Sequence, residues 1–367
     1  MTIDVPEHIA TLIPYSPGKP VEELERELGI TNVVKLASNE NPFGPSPKAM
    51  EAVRRAVSQV HRYPDGGSYH LHQALAERHG LAPEHFLIGN GSNEVIVDII
   101  NTYMRADRRP ADRGVTGEYA FLVFRLAVQS RGCTPVMVPF RDYRHDPKAL
   151  LAAVDEQTRF VYVDNPNNPC GTFLRAEELD ALIAALPEHC WLLLDEAYFE
   201  YVDDPRYPDG VRYVRDGRRV IVLRTFSKVF GLAGLRVGYA IADPELLSYV
   251  NRVRDPFNVN MLAQIGACAA CTDTEHLERC RLGTAAGKAW LASRLGELGV
   301  DFLPTVTNFY LIRVGHGGAV YEALLREGVI VRPMGGFGLP EHIRVTIGTQ
   351  EENARFMGAL RRVLKRA

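Results

Sequence analysis

The side chains best suited to chemistry in this 367-residue chain stand where short apolar runs end. Lys228 follows the apolar run at 220–223, and Asp195 closes the run at 191–194, with Tyr198 three residues later. Because a carboxylate at the end of an apolar strand is partly desolvated, it requires a proton or a cationic partner. Only seven of the 42 basic residues are lysines, and Lys228 alone among them follows such a run at this edge. A reaction that needs an amine therefore has few candidates.

Two polar loops follow other apolar runs. The run at 86–88 leads into GNGSNE at 89–94, where glycines at a strand-to-helix turn can direct backbone N–H groups at an anion. This is a candidate phosphate site, and a purely structural tight turn explains the same residues equally well. The run at 160–164 leads into NPNNPCG at 165–171, in which two prolines hold the backbone and direct the asparagine amides.

Together these groups suit one kind of ligand. In an open α/β sheet, ligands bind beyond the carboxyl ends of the strands, so the amine, the carboxylate, the tyrosine, the amides and the phosphate site are expected at one edge. An aldehyde cofactor that carries a phosphate and a pyridine ring would use all of them. The amine condenses with the aldehyde, and the carboxylate holds a proton on the ring nitrogen.

Apolar runs that alternate with helical patterns predict the elements that position this site. Strands are expected at 86–88, 135–139, 160–164, 191–195, 220–225 and 236–241, and helices at 21–28, 93–104, 120–130, 147–154 and 176–185. Runs that are apolar on both faces and separated by helices are typical of a parallel sheet with crossover helices, hence of an α/β fold. From about residue 256 a long helical region precedes strands near 308–314, 329–332 and 342–347, with helices at 319–326 and 350–365.

This pattern predicts two domains and an arm. The N-terminal arm covers 1–38 and packs with the small domain, the large domain covers 39–255, and the small α+β domain covers 256–367. A net charge of −3, with no block of basic residues, argues against nucleic acid and against an acidic membrane surface. The first ten residues lack the basic and apolar runs of a signal peptide, so we expect a cytoplasmic protein.

Two other motifs have better structural explanations. Three cysteines and a histidine between residues 268 and 280 approach the spacing of a zinc site. Small and apolar residues at helical spacing across 261–281 instead predict one helix with buried cysteines, so no metal is expected. GTAAGK at 283–288 is one residue short of a P-loop and is interpreted as a turn in a helical pair.

Several longer stretches resemble a known family. They are LASNENP at 36–42, RYP at 62–64, GSNE at 91–94, NPNNPCG at 165–171, DEAY at 195–198, RTFSKVFGLAGLRVGY at 224–239, FNVN at 257–260 and IRVTIGTQEEN at 343–353. With these motifs the chain resembles fold-type I pyridoxal-phosphate aminotransferases of the class II subfamily, and among them the histidinol-phosphate aminotransferase family, over nearly its whole length. The resemblance implies a fold-type I transferase, with a large mostly parallel-sheet domain that binds pyridoxal phosphate and a smaller α+β domain.

The resemblance also implies roles for individual residues. Lys228 matches the Schiff-base lysine that carries the proton, and Asp195 matches the partner of the pyridine nitrogen. Asn168 and Tyr198 match residues that hydrogen-bond the ring 3′-oxygen. The positions that match phosphate-binding residues are Ser92, Asn93, Thr225, Ser227 and Arg236. Tyr63 is similar to a tyrosine that reaches the cofactor of the neighbouring subunit, so a homodimer with shared sites is implied.

An aromatic ring is expected against the face of the cofactor. Aligning residues 123–126 with the family's following aromatic stretch gives Phe121 this role, whereas a simpler match gives it to Tyr119. Phe121 is the favoured choice.

Two arginines of the second domain indicate an anionic substrate. Arg332 and Arg344 lie on or beside predicted strands, where an unpaired charge would be costly to bury, and their planar guanidinium groups suit carboxylate or phosphate. By resemblance, Arg344 binds the carboxylate of glutamate and helps to bind the substrate phosphate, with Arg332 beside it. Pairing of Arg332 with a surface acid is the alternative. Tyr15 and Asn39 match further positions that line the substrate.

The reaction implied by the resemblance moves an amino group between L-histidinol phosphate and 2-oxoglutarate in histidine biosynthesis. An aromatic-amino-acid aminotransferase or a threonine-phosphate decarboxylase of the same family would share almost all of the cofactor residues. A non-catalytic relative that binds pyridoxal phosphate is a further alternative.

Overall fold

The computed structural model describes residues 3–14 and 18–366. The strands are β1 (Val34–Lys35), β2 (Phe86–Gly89), β3 (Arg113–Gly117), β4 (Thr134–Val138), β5 (Thr158–Asp164), β6 (Trp191–Asp195), β7 (Val220–Thr225), β8 (Gly238–Ile241), β9 (Phe309–Arg313), β10 (Val329–Ile330), β11 (Arg332–Pro333) and β12 (His342–Thr346). The helices are α1 (Glu7–Ala10), α2 (Val21–Leu28), α3 (Pro47–Ala56), α4 (Tyr69–His79), α5 (Ser92–Tyr103), α6 (Val123–Ser130), α7 (Pro147–Ala152), α8 (Ala176–Ala185), α9 (Val211–Arg215), α10 (Pro244–Val250), α11 (Met261–Cys271), α12 (Thr274–Glu297), α13 (Gly317–Arg326) and α14 (Gln350–Arg366).

The largest sheet has seven strands in the order β2-β8-β7-β6-β5-β3-β4, and within it β8 runs antiparallel to both neighbours while the other paired strands are parallel. Successive side chains of its central strands enter different core clusters, one containing Val161 and Leu192 and the other Phe160 and Leu193. Both faces are therefore covered, which is why these strands are apolar throughout. The α/β fold predicted from the apolar runs is confirmed.

Two small sheets lie in the C-terminal part of the chain. β11, β12 and β9 form an antiparallel sheet, and β10 pairs in parallel with β1 from near the N-terminus. Leu36, which follows β1, belongs to the same core cluster as Phe356 of α14 and Val345 of β12. The residues after α2 thus pack with the C-terminal elements. The division of the chain at residues 38 and 255 into an arm and two domains stays a prediction.

The structure corrects three predicted elements. The run at 329–332 is not one strand, because Val329 and Ile330 pair with β1 whereas Arg332 pairs with Arg344 of β12. The segment 261–281 is two helices, since the Asp273 side chain accepts a hydrogen bond from a backbone N–H of the first turn of α12. The GTAAGK segment is no turn but lies inside α12.

Tight packing explains the glycines of that segment. A Cβ on Gly283 would lie 2.4 Å from the ring of Phe43, and one on Gly287 would lie 2.8 Å from Ile347. The glycines therefore let neighbouring segments approach a continuous helix. They do not mark its end.

β3 was not predicted from the sequence. Its residues, RGVTG, include one large apolar side chain, Val115, and so lack the pattern of the other strands. Its two glycines admit neighbouring rings instead, because a Cβ on Gly114 would lie 2.8 Å from Phe124 and one on Gly117 would lie 2.0 Å from Phe140. The strand is thus made by packing partners that are distant in the sequence.

Among the residues that the structure describes, no helix has both the length and the apolar character needed to cross a lipid bilayer.

Replacing Gly238 by alanine should destabilise the packing of β8 against the turn after β2. The added Cβ would lie 2.4 Å from the backbone nitrogen of Ser92 and 3.0 Å from the carbonyl oxygen of Arg224, so backbone would have to move. We expect the free energy of unfolding to fall by about 1–3 kcal/mol, seen as a lower midpoint of thermal denaturation. The control is Gly234→Ala, at an exposed glycine with open space around its Cβ position. Equal midpoints for the two variants would contradict this close packing.

Candidate active site

The carboxyl ends of β5, β6 and β7 and the turn after β2 surround a cavity of about 250 Å³. Parallel pairing brings these strand ends to one edge of the sheet. Residues from the sequence prediction that line the cavity are Ser92, Asn93, Phe121, Asn168, Asp195, Tyr198, Thr225, Ser227, Lys228 and Arg236. The fold therefore assembles most of the predicted site from segments that are far apart in the chain.

Lys228 lies in the loop after β7 with its amine at the cavity. Its Nζ donates a hydrogen bond to the carbonyl oxygen of Ser38 at 3.3 Å and lies 5.5 Å from the centre of the Tyr198 ring. Burial, and to a smaller degree the positive charge of Arg344, lower the pKa of Lys228 from 10.5 to about 8. An appreciable fraction of this amine is therefore uncharged near neutral pH and able to act as a nucleophile or a base.

Asp195 ends β6 and is buried at the floor of the cavity. Burial raises the pKa of its carboxyl group to about 6, although the Tyr162 hydroxyl and the Ala197 N–H both stabilise the ionised form. The hydroxyl donates to Oδ2 at 2.7 Å and the N–H donates to Oδ1 at 3.0 Å. Two donors thus hold the carboxylate in place, and burial leaves its affinity for a proton above that of an exposed aspartate.

Tyr162 was missed by the sequence analysis. It lies on β5, is fully buried, and stacks on Phe124 of α6 with ring centres 4.9 Å apart. A single tyrosine in an apolar strand gives little signal, because its ring suits the core as well as its hydroxyl suits a site. Its hydrogen bond to Asp195 exists only through the pairing of β5 with β6.

Donor groups at one end of the cavity can hold an anion. Gly91 precedes α5 with φ +83°, so the first turn of the helix, with Ser92 and Asn93, opens toward the cavity. From the other side the Arg236 guanidinium approaches, donating to the Ser227 hydroxyl at 3.4 Å. A Cβ on Gly91 would lie 2.7 Å from that guanidinium, and the left-handed φ of this residue is one that glycine adopts without strain. A helix N-terminus, hydroxyls and a cation suit a phosphate group.

A hydrogen-bond network joins the small antiparallel sheet to the cavity. Arg344 of β12 donates to Oδ1 of Asn168 at 2.5 Å and to the carbonyl oxygen of Ala37 at 2.7 Å. Asn39 donates from Nδ2 to the hydroxyl of Tyr198 at 2.7 Å. Burial raises the pKa of Tyr198 to about 12, which keeps its hydroxyl protonated. The N-terminal segment, β12 and the loops after β5 and β6 thus meet at one place.

Of the remaining predicted residues that the structure describes, Arg332 and Tyr63 do not line this cavity. Arg332 of β11 is in register with Arg344, is half-buried, and lines a neighbouring cavity that includes Ile13 and Pro14. Tyr63 is 83% exposed and stacks on Phe257 with ring centres 4.8 Å apart. Tyr15 lies outside the described residues.

The structure separates the two aromatic candidates for the cofactor face. Phe121 lines the cavity, and its backbone N–H is hydrogen-bonded to Asp164. Tyr119 packs instead against Phe140, with ring centres 5.3 Å apart, and against Gly338. Phe121, the favoured residue, is therefore the one of the two that lines the cavity, and its role against the cofactor face stays a prediction.

Comparison with known proteins gives relatives that span the chain. Residues 31–360 match the family described as aminotransferase class I and II. The chain is 47% identical to histidinol-phosphate aminotransferase 1 of Nitrosococcus oceani, over 96% of this chain and 95% of that protein. It is 45% identical to the histidinol-phosphate aminotransferase of Moorella thermoacetica, over 98% of this chain and 92% of that protein.

Solved aminotransferase structures superpose on nearly the whole chain. Histidinol-phosphate aminotransferase from Sinorhizobium meliloti, in complex with pyridoxal-5'-phosphate, superposes with a TM-score of 0.91 at 30% identity, covering 100% of this chain and 99% of that one. Thermus thermophilus aspartate aminotransferase with maleate superposes with a TM-score of 0.84 at 22% identity, covering 99% and 100%. The second likeness shows the shared fold alone.

Replacing Tyr162 by phenylalanine should raise the pKa of Asp195 above its value of about 6, by about 1, because a donor to the ionised carboxylate is lost. The pKa can be followed by carbon NMR of the labelled carboxyl group in cofactor-free protein, with Asp195→Asn used to assign the signal. Tyr103→Phe, which removes a hydroxyl bonded to the Leu246 carbonyl oxygen, is the control and should leave that pKa unchanged. An unchanged pKa in Tyr162→Phe would contradict this role of the hydroxyl.

Proposed function

We propose that this chain, which belongs to the class I and II aminotransferase family, transfers an amino group between L-histidinol phosphate and 2-oxoglutarate with pyridoxal 5'-phosphate as cofactor. Its fold is that of the fold-type I transferases. The observation that carries the proposal is one cavity in which a half-buried amine, a buried carboxyl group and an anion site converge. Relatives named for this activity match nearly the whole chain, which supports the same substrates and a place in histidine biosynthesis.

The residues present fit pyridoxal phosphate. Its phosphate suits the turn at Gly91 and Ser92, where a Cβ on Gly91 would occupy space beside the Arg236 guanidinium. Its ring nitrogen requires an acidic partner, and Asp195 is a buried carboxyl group with raised proton affinity. When bound, this cofactor supplies an aldehyde that condenses with amines and a ring that accepts an electron pair.

Lys228 is the group that we assign to proton transfer. Its lowered pKa makes the neutral amine accessible, so Nζ could take a proton from the substrate Cα and would return it to the carbon that the cofactor aldehyde supplies. Asp195 holds a proton at the ring nitrogen, and Tyr162 orients the carboxylate that does so. Asn168 and Tyr198 are assigned to the ring oxygen.

Arg344 is assigned to the anionic end of the substrate. Its guanidinium is held by Ala37 and by Asn168, which lines the cavity, so its direction beside the cavity is fixed, as a carboxylate or phosphate clamp requires. Asn39 and Arg332 complete this side of the site in the proposal. Arg332 pairs in register with Arg344 and therefore adds a second positive charge close by. Tyr15 keeps its assignment to the substrate from the sequence alone.

We infer that the protein is a homodimer with shared sites, in the cytoplasm. Tyr63 and Phe257 form an exposed stacked pair, and the exposed apolar side chains of Val57, Val60 and Val253 occur in the same two parts of the sequence. The stacking of Tyr63 on Phe257 joins these two segments, and contiguous exposed apolar surface is typical of a face that another molecule covers. A second copy of the chain would bring Tyr63 to the partner's phosphate site.

The proposed activity is tested with the cofactor-loaded protein. L-glutamate should change the cofactor absorbance in a half-reaction, and imidazole-acetol phosphate should reverse the change. The kcat/KM for imidazole-acetol phosphate should exceed the kcat/KM for phenylpyruvate at least about tenfold, because a site that binds a phosphate group discriminates against a substrate without one. Lys228→Ala should abolish both half-reactions, whereas Lys148→Ala, at an exposed lysine, should not.

Other outcomes would assign another function. A preference for phenylpyruvate would indicate an aromatic aminotransferase, and release of carbon dioxide from threonine phosphate would indicate a decarboxylase. A loaded protein whose absorbance no amino donor changes would be a non-catalytic relative.

The shared site is tested by mixing two weak variants. Lys228→Ala and Tyr63→Ala should each be less active than the unaltered chain, and hybrid dimers should contain one site with both residues intact. The activity of the mixture, after dissociation and reassociation, should therefore exceed the sum of the separate activities. Sedimentation should give twice the mass of one chain. A monomer, or a mixture no more active than its parts, would argue against shared sites.

A further inference from the structure

Asp164 is a buried carboxylate at the cavity that neither the sequence analysis nor the proposed chemistry uses. It is the last residue of β5, is 3% exposed, and lines the same cavity as Lys228 and Asp195. Its partner across the parallel pair is Asp195, so the two carboxyl groups stand at neighbouring strand ends. A second buried acid beside the first is costly unless it accepts hydrogen bonds.

Four donors converge on the carboxylate of Asp164. Oδ2 accepts the backbone N–H of Phe121 at 3.1 Å and the backbone N–H of Asn168 at 3.0 Å. Oδ1 accepts Nε2 of His145 at 2.8 Å and Nδ2 of Asn167 at 2.9 Å. A carboxylate is the side chain that can accept at both oxygens at once, whereas an asparagine here would turn an NH₂ group toward two of these donors.

The two backbone contacts join opposite parts of the site. Phe121 begins the segment that leads into α6, and Asn168 belongs to the loop after β5. Both residues line the cavity, and they meet through one oxygen of Asp164. The distance between Phe121 and Asn168 is thus set by one carboxylate, that of Asp164.

His145 fixes Asp164 from outside the cavity. Its side chain is 2% exposed, packs against the Phe140 ring with centres 4.5 Å apart, and does not line the cavity that holds Lys228. A Cβ on Gly117 would lie 2.8 Å from its Nδ1, so the imidazole fits closely against β3. The ring is therefore held in place and can keep the carboxylate in one orientation.

We propose that Asp164, fixed by His145, is a positioning residue that holds Phe121 at the face of the cofactor ring and Asn168 at the ring oxygen. The inference rests on the proposed function, since it concerns how the same cavity holds pyridoxal phosphate.

The first test is Asp164→Asn in the cofactor-loaded protein. We expect kcat to fall about tenfold to a hundredfold with KM for glutamate changed less than twofold, because misplacement of the ring by a fraction of an ångström slows the chemical step. The visible circular dichroism of the bound cofactor should change, because it reports the asymmetric surroundings of the ring, while the far-ultraviolet spectrum stays the same. Asp142→Asn is the matched control, at a 90% exposed side chain with left-handed φ, which asparagine tolerates.

A second pair of variants tests the inference without altering the cavity wall. His145→Phe keeps a ring but removes the donor to Asp164, and it should lower kcat and alter the visible circular dichroism in the same direction as Asp164→Asn. His145→Gln has an amide N–H that can replace Nε2 as the donor, so its kcat and its visible circular dichroism should be close to those of the unaltered chain. This pair decides the matter if Asp164→Asn yields no folded protein.

Several results would overturn the inference. One is a visible spectrum and kcat within twofold of the unaltered chain in both Asp164→Asn and His145→Phe. Another is a loss of activity that matches the loss of folded protein or of bound cofactor, with no rescue by His145→Gln. If the unaltered chain itself binds no pyridoxal phosphate, the proposed function fails and the inference fails with it. If the unaltered chain binds pyridoxal phosphate and transfers the amino group, and both variants match it, only the role of Asp164 is disproved and the proposed function stands.

Discussion

The geometry of the site depends on the lateral register of three parallel strands. Asp164 of β5 pairs with Asp195 of β6, so these two strands end level, and Asp195 pairs with Leu223 of β7, which continues two residues further to Thr225. The polar residues that follow these strands then reach one cavity without long loops. Because side chains alternate between the two faces of a sheet, a shift of one residue would turn them away from the cavity.

A buried ion pair on the opposite side of the sheet supports this register. Asp195 faces the cavity, and the next side chain, Glu196, points the other way, where its Oε2 accepts from Arg224 at 2.8 and 3.1 Å. Arg224 of β7 lies 3.6 Å over the Phe199 ring and directly precedes Thr225, which lines the cavity. Removing one partner of a buried pair leaves an uncompensated charge. The ion pair therefore connects the end of β6 to β7 on the face of the sheet opposite the cavity.

Most of the fold could be predicted because its central strands are buried on both faces. An apolar run of that kind is visible without knowledge of its partners, and the polar residues that end β5, β6 and β7 mark the ligand edge directly. β3 could not be predicted, since its glycines serve the rings of Phe124 and Phe140. The break between α11 and α12 was missed for a related reason. Asp273, which caps the N-terminus of α12, also accepts a hydrogen bond from Ser46, a partner that no local pattern reveals.

The sequence by itself determined which chemical groups the site has: one amine after a buried strand, a carboxyl group at a strand end, a glycine turn and the family motifs around them. Only the tertiary structure decided which groups touch. Arg344 meets Asn168 across 176 residues of sequence, and Tyr162 and Asp164 enter the site through strand pairing and loop contacts. Local patterns in a sequence record periodicity and burial, which act over a few residues. Contacts between distant segments depend on how the folded elements pack together. Burial in that packing gives Lys228 and Asp195 their altered proton affinities.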